Sequence, residues 1–170
     1  NGIPKKTRNL GNRVVFAGNL GKSPFLGGLP QGENEVHFNL YGIGFNKNWK
    51  ENTNLSYCGS YPAEKIPYEL EGSFGLVWDG KSAYTCDADL AGQYTRFNNP
   101  HKLSLYVAAG IPVIAWKHAA IADFIKKEKI GFVVDNLFDI SKIIREMNTI
   151  EYNEYLRNIR VLQQKVINGD

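Results

Sequence analysis

The sequence predicts a doubly wound α/β domain, a mostly parallel six-stranded sheet with helices on both faces. Three observations predict it: short, continuously apolar segments, a switch to helical periodicity in the second half, and alternation of the two kinds along the chain. Strands buried on both faces read as unbroken apolar runs, and that is the pattern of a parallel sheet.

The elements follow in order. Arg13–Gly18 is a short apolar run closed by glycine and reads as a buried strand. Glu35–Gly42 alternates, with Val36, Phe38 and Leu40 on one face, and reads as a second strand nearer an edge. Leu55–Cys58 is a short third strand. Ala63–Leu70 has room for one or two helical turns, limited by Pro67. Phe74–Trp78 is a fourth strand, stopped by the turn pair Asp79-Gly80. Lys81–Arg96 is polar and aperiodic and reads as a loop. Leu103, Tyr106 and Val107 then share a helical face, and Gly110 closes that helix. Pro112–Trp116 and Gly131–Val134 are strands five and six, separated by a helix carrying Ile121, Phe124 and Ile125. Ile140, Ile143, Ile144 and Met147 mark another helix with Asp139 as its N-cap, and Tyr152 to Val166 mark the last.

At 170 residues, with no internal repeat and no low-complexity linker, residues 1–170 form one domain. A 43% hydrophobic and 22% charged composition excludes a disordered chain. A net charge of +3 is too small to point to nucleic acid, yet it suits a small phosphate-bearing ligand. No apolar run reaches the roughly 20 residues of a membrane span. The polar, basic start has no apolar core and so does not read as a signal peptide, and without an initiator Met the chain reads as a fragment or a trimmed piece of a longer protein. Cys58 and Cys86 form neither a CxxC pair nor a zinc pattern and read as reduced thiols.

In a doubly wound sheet the ligand sits beyond the carboxyl ends of the strands, where strand order reverses. The richest stretch there is Arg96-Phe97-Asn98-Asn99-Pro100-His101-Lys102. Asn99 suits an N-cap and Pro100 the first helical position. Lys102 in the first turn opposes the helix dipole, a conflict that a bound anion would remove. Arg96 could add a bidentate phosphate contact. A capped helix with solvated basic residues explains the same letters equally well. Gly18-Asn19-Leu20-Gly21-Lys22-Ser23 after the first strand permits close backbone approach, with Lys22 as a point charge, or it is a plain turn. Its spacing is not that of a P-loop, and Lys47 breaks the glycine fingerprint begun by Gly42 and Gly44, so ATP cleavage and NAD binding are not supported. Asp79, directly after strand four, is placed for a sugar hydroxyl or a water, or is equally a plain turn residue. Asp87-Ala88-Asp89 resembles a DxD metal motif but lies inside the long loop, so a metal there is not expected. No Ser, His and carboxylate set has triad spacing.

The run Arg96–Trp116 resembles the signature of the C-terminal domain of GT-B sugar transferases, in particular bacterial galactofuranosyltransferases and the glucosyltransferases that decorate serine-rich adhesins. Phe16–Ser23 and Gly75–Gly80 resemble two further blocks of that group, in the same order. The resemblance implies a donor-side Rossmann-like half taking a UDP-sugar, with uracil held by backbone and Tyr61. Asn19 and Lys22 would lie near the diphosphate or sugar, and Leu20 and Asp79 join them as donor-binding candidates. Arg96, Lys102 and the amides from Asn98 through Asn99 to Lys102 would hold phosphate. Ser104 stands where many of the wider class carry a ribose-binding glutamate, which weakens that contact. It further implies no metal cofactor, and catalysis completed by an acceptor-binding domain absent from this chain. The remaining expectations are a glycan or glycoprotein acceptor, no nucleic-acid partner, a homo-oligomer, and a cytoplasmic location at the inner face of the membrane. A non-catalytic partner-binding module derived from such an enzyme is the alternative.

Overall fold

The computed structural model describes residues 6–98 and 101–169. Its six strands are β1 (Arg13–Ala17), β2 (His37–Tyr41), β3 (Leu55–Tyr57), β4 (Phe74–Val77), β5 (Val113–Trp116) and β6 (Gly131–Val134). They form one sheet in the order β3-β2-β1-β4-β5-β6, and every neighbouring pair is parallel. The fully apolar runs occupy the middle. All four residues of β4 and of β5 are buried, as are the last four of β1. Complete burial of side chains such as Phe74 and Ile114 contributes roughly 1.5–3 kcal/mol each.

β2 lies one strand in from the edge strand β3, nearer an edge than β1 and β4, as its alternation suggests. Asn39, on its polar face, is buried because it accepts from Arg13 at 3.0 Å and donates to the Glu71 carbonyl at 2.6 Å. A buried carboxamide with both partners supplied costs little.

The connections differ between the two halves of the sheet. Between β1 and β2 the chain makes only 3₁₀ turns, Leu20–Lys22 and Pro24–Gly28, and between β2 and β3 the turn Lys47–Glu51. One short helix, α1 (Ile66–Glu69), precedes β4. The second half carries α2 (Leu90–Gln93), α3 (His101–Ala109), α4 (Ala122–Glu128), α5 (Ile140–Glu146) and α6 (Thr149–Asn168). Asn148 caps α6 by accepting from Glu151 N–H at 2.9 Å, and Gly169 ends it at φ 76°. α6 packs along α3, with Gln163 donating to the Ala108 carbonyl at 2.7 Å. At its start Tyr152 is buried against Phe74, ring centres 5.2 Å apart, and its hydroxyl donates to Ser73 O at 2.7 Å.

Two expectations need correction. The stretch 81–96 is not plain loop: it folds into a 3₁₀ turn at Cys86–Ala88, α2, and a second turn at Tyr94–Arg96. The side chains of Thr85 and Asp89 accept from the N–H groups of Asp87 and Gly92, so caps rather than periodicity specify it. Asp139 stands at the N-cap of α5 without a side-chain bond, whereas Asn136 caps the turn just before it. The expected cap Asn99 and its neighbour Pro100 lie outside the described residues.

Candidate functional site

Strand order reverses between β1 and β4, whose successors run outward in opposite directions. β1 and β4 pair only at Val14–Phe74 and Val15–Gly75, and then part. Tyr106 of α3 fills the gap. Its buried hydroxyl accepts from Ala17 N–H at 3.2 Å and donates to Leu76 O at 2.8 Å, satisfying groups that the parted strands leave open. One turn earlier on the same helical face stands Lys102. Its ammonium reaches over Gly18, 3.2 Å from where a Cβ at that position would sit, and lies 5.3 Å from the centre of the Phe16 ring.

Two hollows meet at His101 and Lys102. The larger, about 530 Å³, lies within the range of ligand clefts. Its apolar lining comes from Ala17, Tyr41, Ile66 and Leu105, and its polar rim from Asn19, Ser60 and Tyr61. The Tyr61 ring is 6.4 Å from that of Tyr41. The 59–61 turn is tied down because Gly42 N–H donates to Gly59 O at 2.9 Å and Tyr57 hydroxyl donates to Gly42 O at 2.8 Å. Gly42 has φ 139°, and a Cβ there would collide with the carbonyl oxygen of Gly18. Only glycine therefore lets the ends of β1 and β2 close the floor of the cleft.

The smaller hollow, about 220 Å³, is polar and is lined by Asp79, Tyr94, Thr95, Asn98, His101 and Lys102. Burial pushes the pKa of the Asp79 carboxyl up; the Lys102 charge and the Gly80 N–H pull against that shift. A partly buried carboxylate facing an ammonium in a concave site is the kind of perturbed group that marks function. Together the hollows offer an apolar slot with aromatic walls, a cation at the junction, and hydrogen-bonding groups beyond it.

The structure gathers five of the sequence-predicted residues here: Asn19, Tyr61, Asp79, Asn98 and Lys102. Four others stand elsewhere. Leu20 is wholly buried, and its N–H is taken by Ile43 O at 2.8 Å. Lys22 and Ser104 are exposed and line neither hollow. Arg96 is bound bidentately by Asp87, with Nε–Oδ1 2.9 Å and Nη2–Oδ2 2.5 Å, and its guanidinium lies 4.7 Å over the Trp116 ring. That pair and the capping role of Asp89 occupy both carboxylates of the DxD motif. Among the described residues no group of three or more His, Cys, Asp or Glu is placed to hold a metal ion. Asn99 lies outside the described residues.

Tyr41, Ile66 and Leu105 line the cleft and were not singled out from sequence. Tyr41 could have been found as the last residue of a strand, and Leu105 as the residue three beyond Lys102 on its helical face. Ile66 carries no such signal.

A parallel sheet in the order 3-2-1-4-5-6 with a cleft at its reversal defines a Rossmann-like domain. Residues 14–170 match the family model described as Glucosyltransferase 3-like, C-terminal domain, and the chain belongs to that family. It is 37% identical over 160 residues to the β-1,6-galactofuranosyltransferase WbbI of Escherichia coli, covering 92% of this chain and 46% of WbbI. It is 36% identical over 108 residues to Glucosyltransferase 3 of Streptococcus gordonii, covering 63% of this chain and 31% of that protein. The chain thus spans less than half the length of these relatives. Among solved structures, TarM of S. aureus superposes with a TM-score of 0.57 at 16% identity, over 94% of this chain and 33% of TarM, which confirms the GT-B half as the fold.

Proposed function

We propose that this chain is the donor-binding half of a glycosyltransferase that moves a hexosyl group, galactofuranosyl or glucosyl, from a UDP-sugar to a glycan or glycoprotein acceptor. The observation that carries the reading is the paired cleft at the strand reversal, apolar on one side of Lys102 and polar on the other. Uracil and ribose occupy the larger hollow between Tyr61 and the Ile66–Leu105 wall. The diphosphate lies over Gly18 against Lys102. The hexose enters the smaller hollow, where Asp79 and Asn98 accept and donate to its hydroxyls. Leu20, Lys22, Arg96 and Ser104 take no part in that arrangement.

The chemistry follows from the charge balance. As the glycosidic bond to phosphate breaks, negative charge grows on the leaving diphosphate, and a fixed ammonium at the junction stabilises it. Lys102 supplies that charge without a metal. Support comes from the relatives named as sugar transferases and from the TarM structure, which was solved with UDP, fondaparinux and α-GlcNAc-glycerol. The acceptor and the remaining catalytic groups belong to a second domain, so this chain binds donor without efficient transfer. We place this reaction in the cytoplasm, at the inner face of the membrane.

Calorimetric titration with UDP, UDP-hexoses and NAD tests the reading. Saturable binding of UDP and UDP-hexoses and none of NAD is expected. Tighter binding of NAD than of UDP would overturn it.

A further inference from the structure

A third hollow lies away from the cleft, between the β1–β2 and β2–β3 connections, and shares no lining residue with it. Its volume is about 190 Å³, the room of about six waters at roughly 30 Å³ each. That suits one sugar ring and is too small for a nucleotide.

The frame is fixed from both sides. Asn54 is buried; its Oδ1 accepts from Gly32 N–H at 2.9 Å, and its amide donates to the Gly32 and Val36 carbonyls at 3.0 and 3.2 Å. Asn52 donates to Leu29 O at 3.1 Å. These bonds lock the two connections together. Trp49 stands on the packed ring of Phe45, centres 5.7 Å apart and nearly perpendicular, and its Nε1 lies 3.0 Å from where a Cβ on Gly27 would sit. Against this rigid frame, three polar side chains of the lining, Gln31, Asn48 and Glu51, make no hydrogen bond or ion pair with the rest of the described chain.

The set is chemically selective. Two carboxamides both donate and accept, a carboxylate accepts, and an indole offers an N–H and an apolar face. Sugar hydroxyls both donate and accept, and sugar C–H faces pack on aromatic rings. The lining includes Glu51 and no cation, so it rejects phosphate and other anions. We propose that this hollow is a second, weak site for one ring of a neutral sugar, independent of the nucleotide cleft.

The test is nitrogen-15 NMR on the chain titrated with D-galactose, D-glucose and lactose, with and without saturating UDP. Trp78 and Trp116 are each 1% exposed, so Trp49 is the reporter among three indole signals. The expected result is a saturable shift of the Trp49 indole alone, with affinity on the order of 10 mM, unchanged by UDP. Glu51→Gln and Gln31→Ala should each weaken it about two- to fivefold, while the Trp78 and Trp116 signals stay in place. Tighter binding of lactose than of galactose would assign a glycan chain as the occupant, and equal binding a single ring. A silent Trp49 signal, a linear drift matched by glycerol, abolition by UDP, or indifference to both substitutions would overturn the proposal.

Discussion

The two hollows of the cleft are built differently. The apolar one rests on strand ends and helix faces: Ala17 ends β1, Tyr41 ends β2, and Leu105 sits mid-helix. The polar one hangs largely on residues 79–98, a segment of short turns held by side-chain caps and one exposed ion pair. A ligand part gripped by the frame can change only if the fold changes. A part gripped by the 79–98 segment can change with a few surface letters. This division suits a donor whose nucleotide is constant and whose sugar varies.

Substitutions at the frame should have the largest effect. Gly42→Ala forces a side chain into a left-handed position against the Gly18 carbonyl, and a loss of about 2–4 kcal/mol in chemical denaturation is expected, with UDP binding lost as well. Unchanged stability would mean that the floor of the cleft is not closed as described.

Lys102→Ala comes next. Removing the ammonium at the junction should weaken UDP about 10- to 100-fold by calorimetry, while uridine, which has no phosphate, should bind as before. Equal losses for both would place Lys102 in packing rather than in phosphate binding.

Asp79→Asn probes the polar hollow. Burial holds the folded pKa above that of the unfolded chain. The stability linked to its proton is therefore complete below the ordinary carboxylate range and is lost as pH rises through the raised value. The Asn variant escapes that loss. Its melting temperature at pH 7 should exceed the parent's, with the gap closing below about pH 4. UDP-hexose should lose its advantage over UDP in the same variant. A lower melting temperature at pH 7 would contradict the assignment.

The smallest effect is expected at Asp87→Asn. Its pair with Arg96 is exposed, and such pairs contribute little. UDP affinity should stay within about twofold, measured by the same titration. A clear gain would show that freed Arg96 reaches the phosphate.

The same division explains what could be read in the sequence. β1, β4, β5 and β6 were legible as continuous apolar runs and β2 through its alternation, and the parallel pairing of the second half follows from its alternation with helices. The helices after residue 100 were legible through their period. The 3₁₀ turns and the folded 79–98 segment were not, since caps such as Thr85 and Asp89 leave no periodic trace. At the site, Lys102, Asn19, Tyr61 and Asp79 were legible as polar residues just past strand ends or in the first turn of a helix. The pairing of Arg96 with Asp87, nine residues back, was not legible, because a side chain's choice between a ligand and a neighbour is a tertiary fact. Nor was the burial of Leu20, which the turn after β1 points into the core.

The most direct test of donor binding at the strand reversal is backbone amide shift mapping with UDP. The largest shifts are expected at Ala17, Gly18, Asn19, Gly42, Ser60, Tyr61 and Lys102. Smaller ones are expected at Asp79 and Asn98 and should grow when a UDP-hexose replaces UDP. Shifts centred on β6 and α4, with the ends of β1 and β2 silent, would contradict donor binding there.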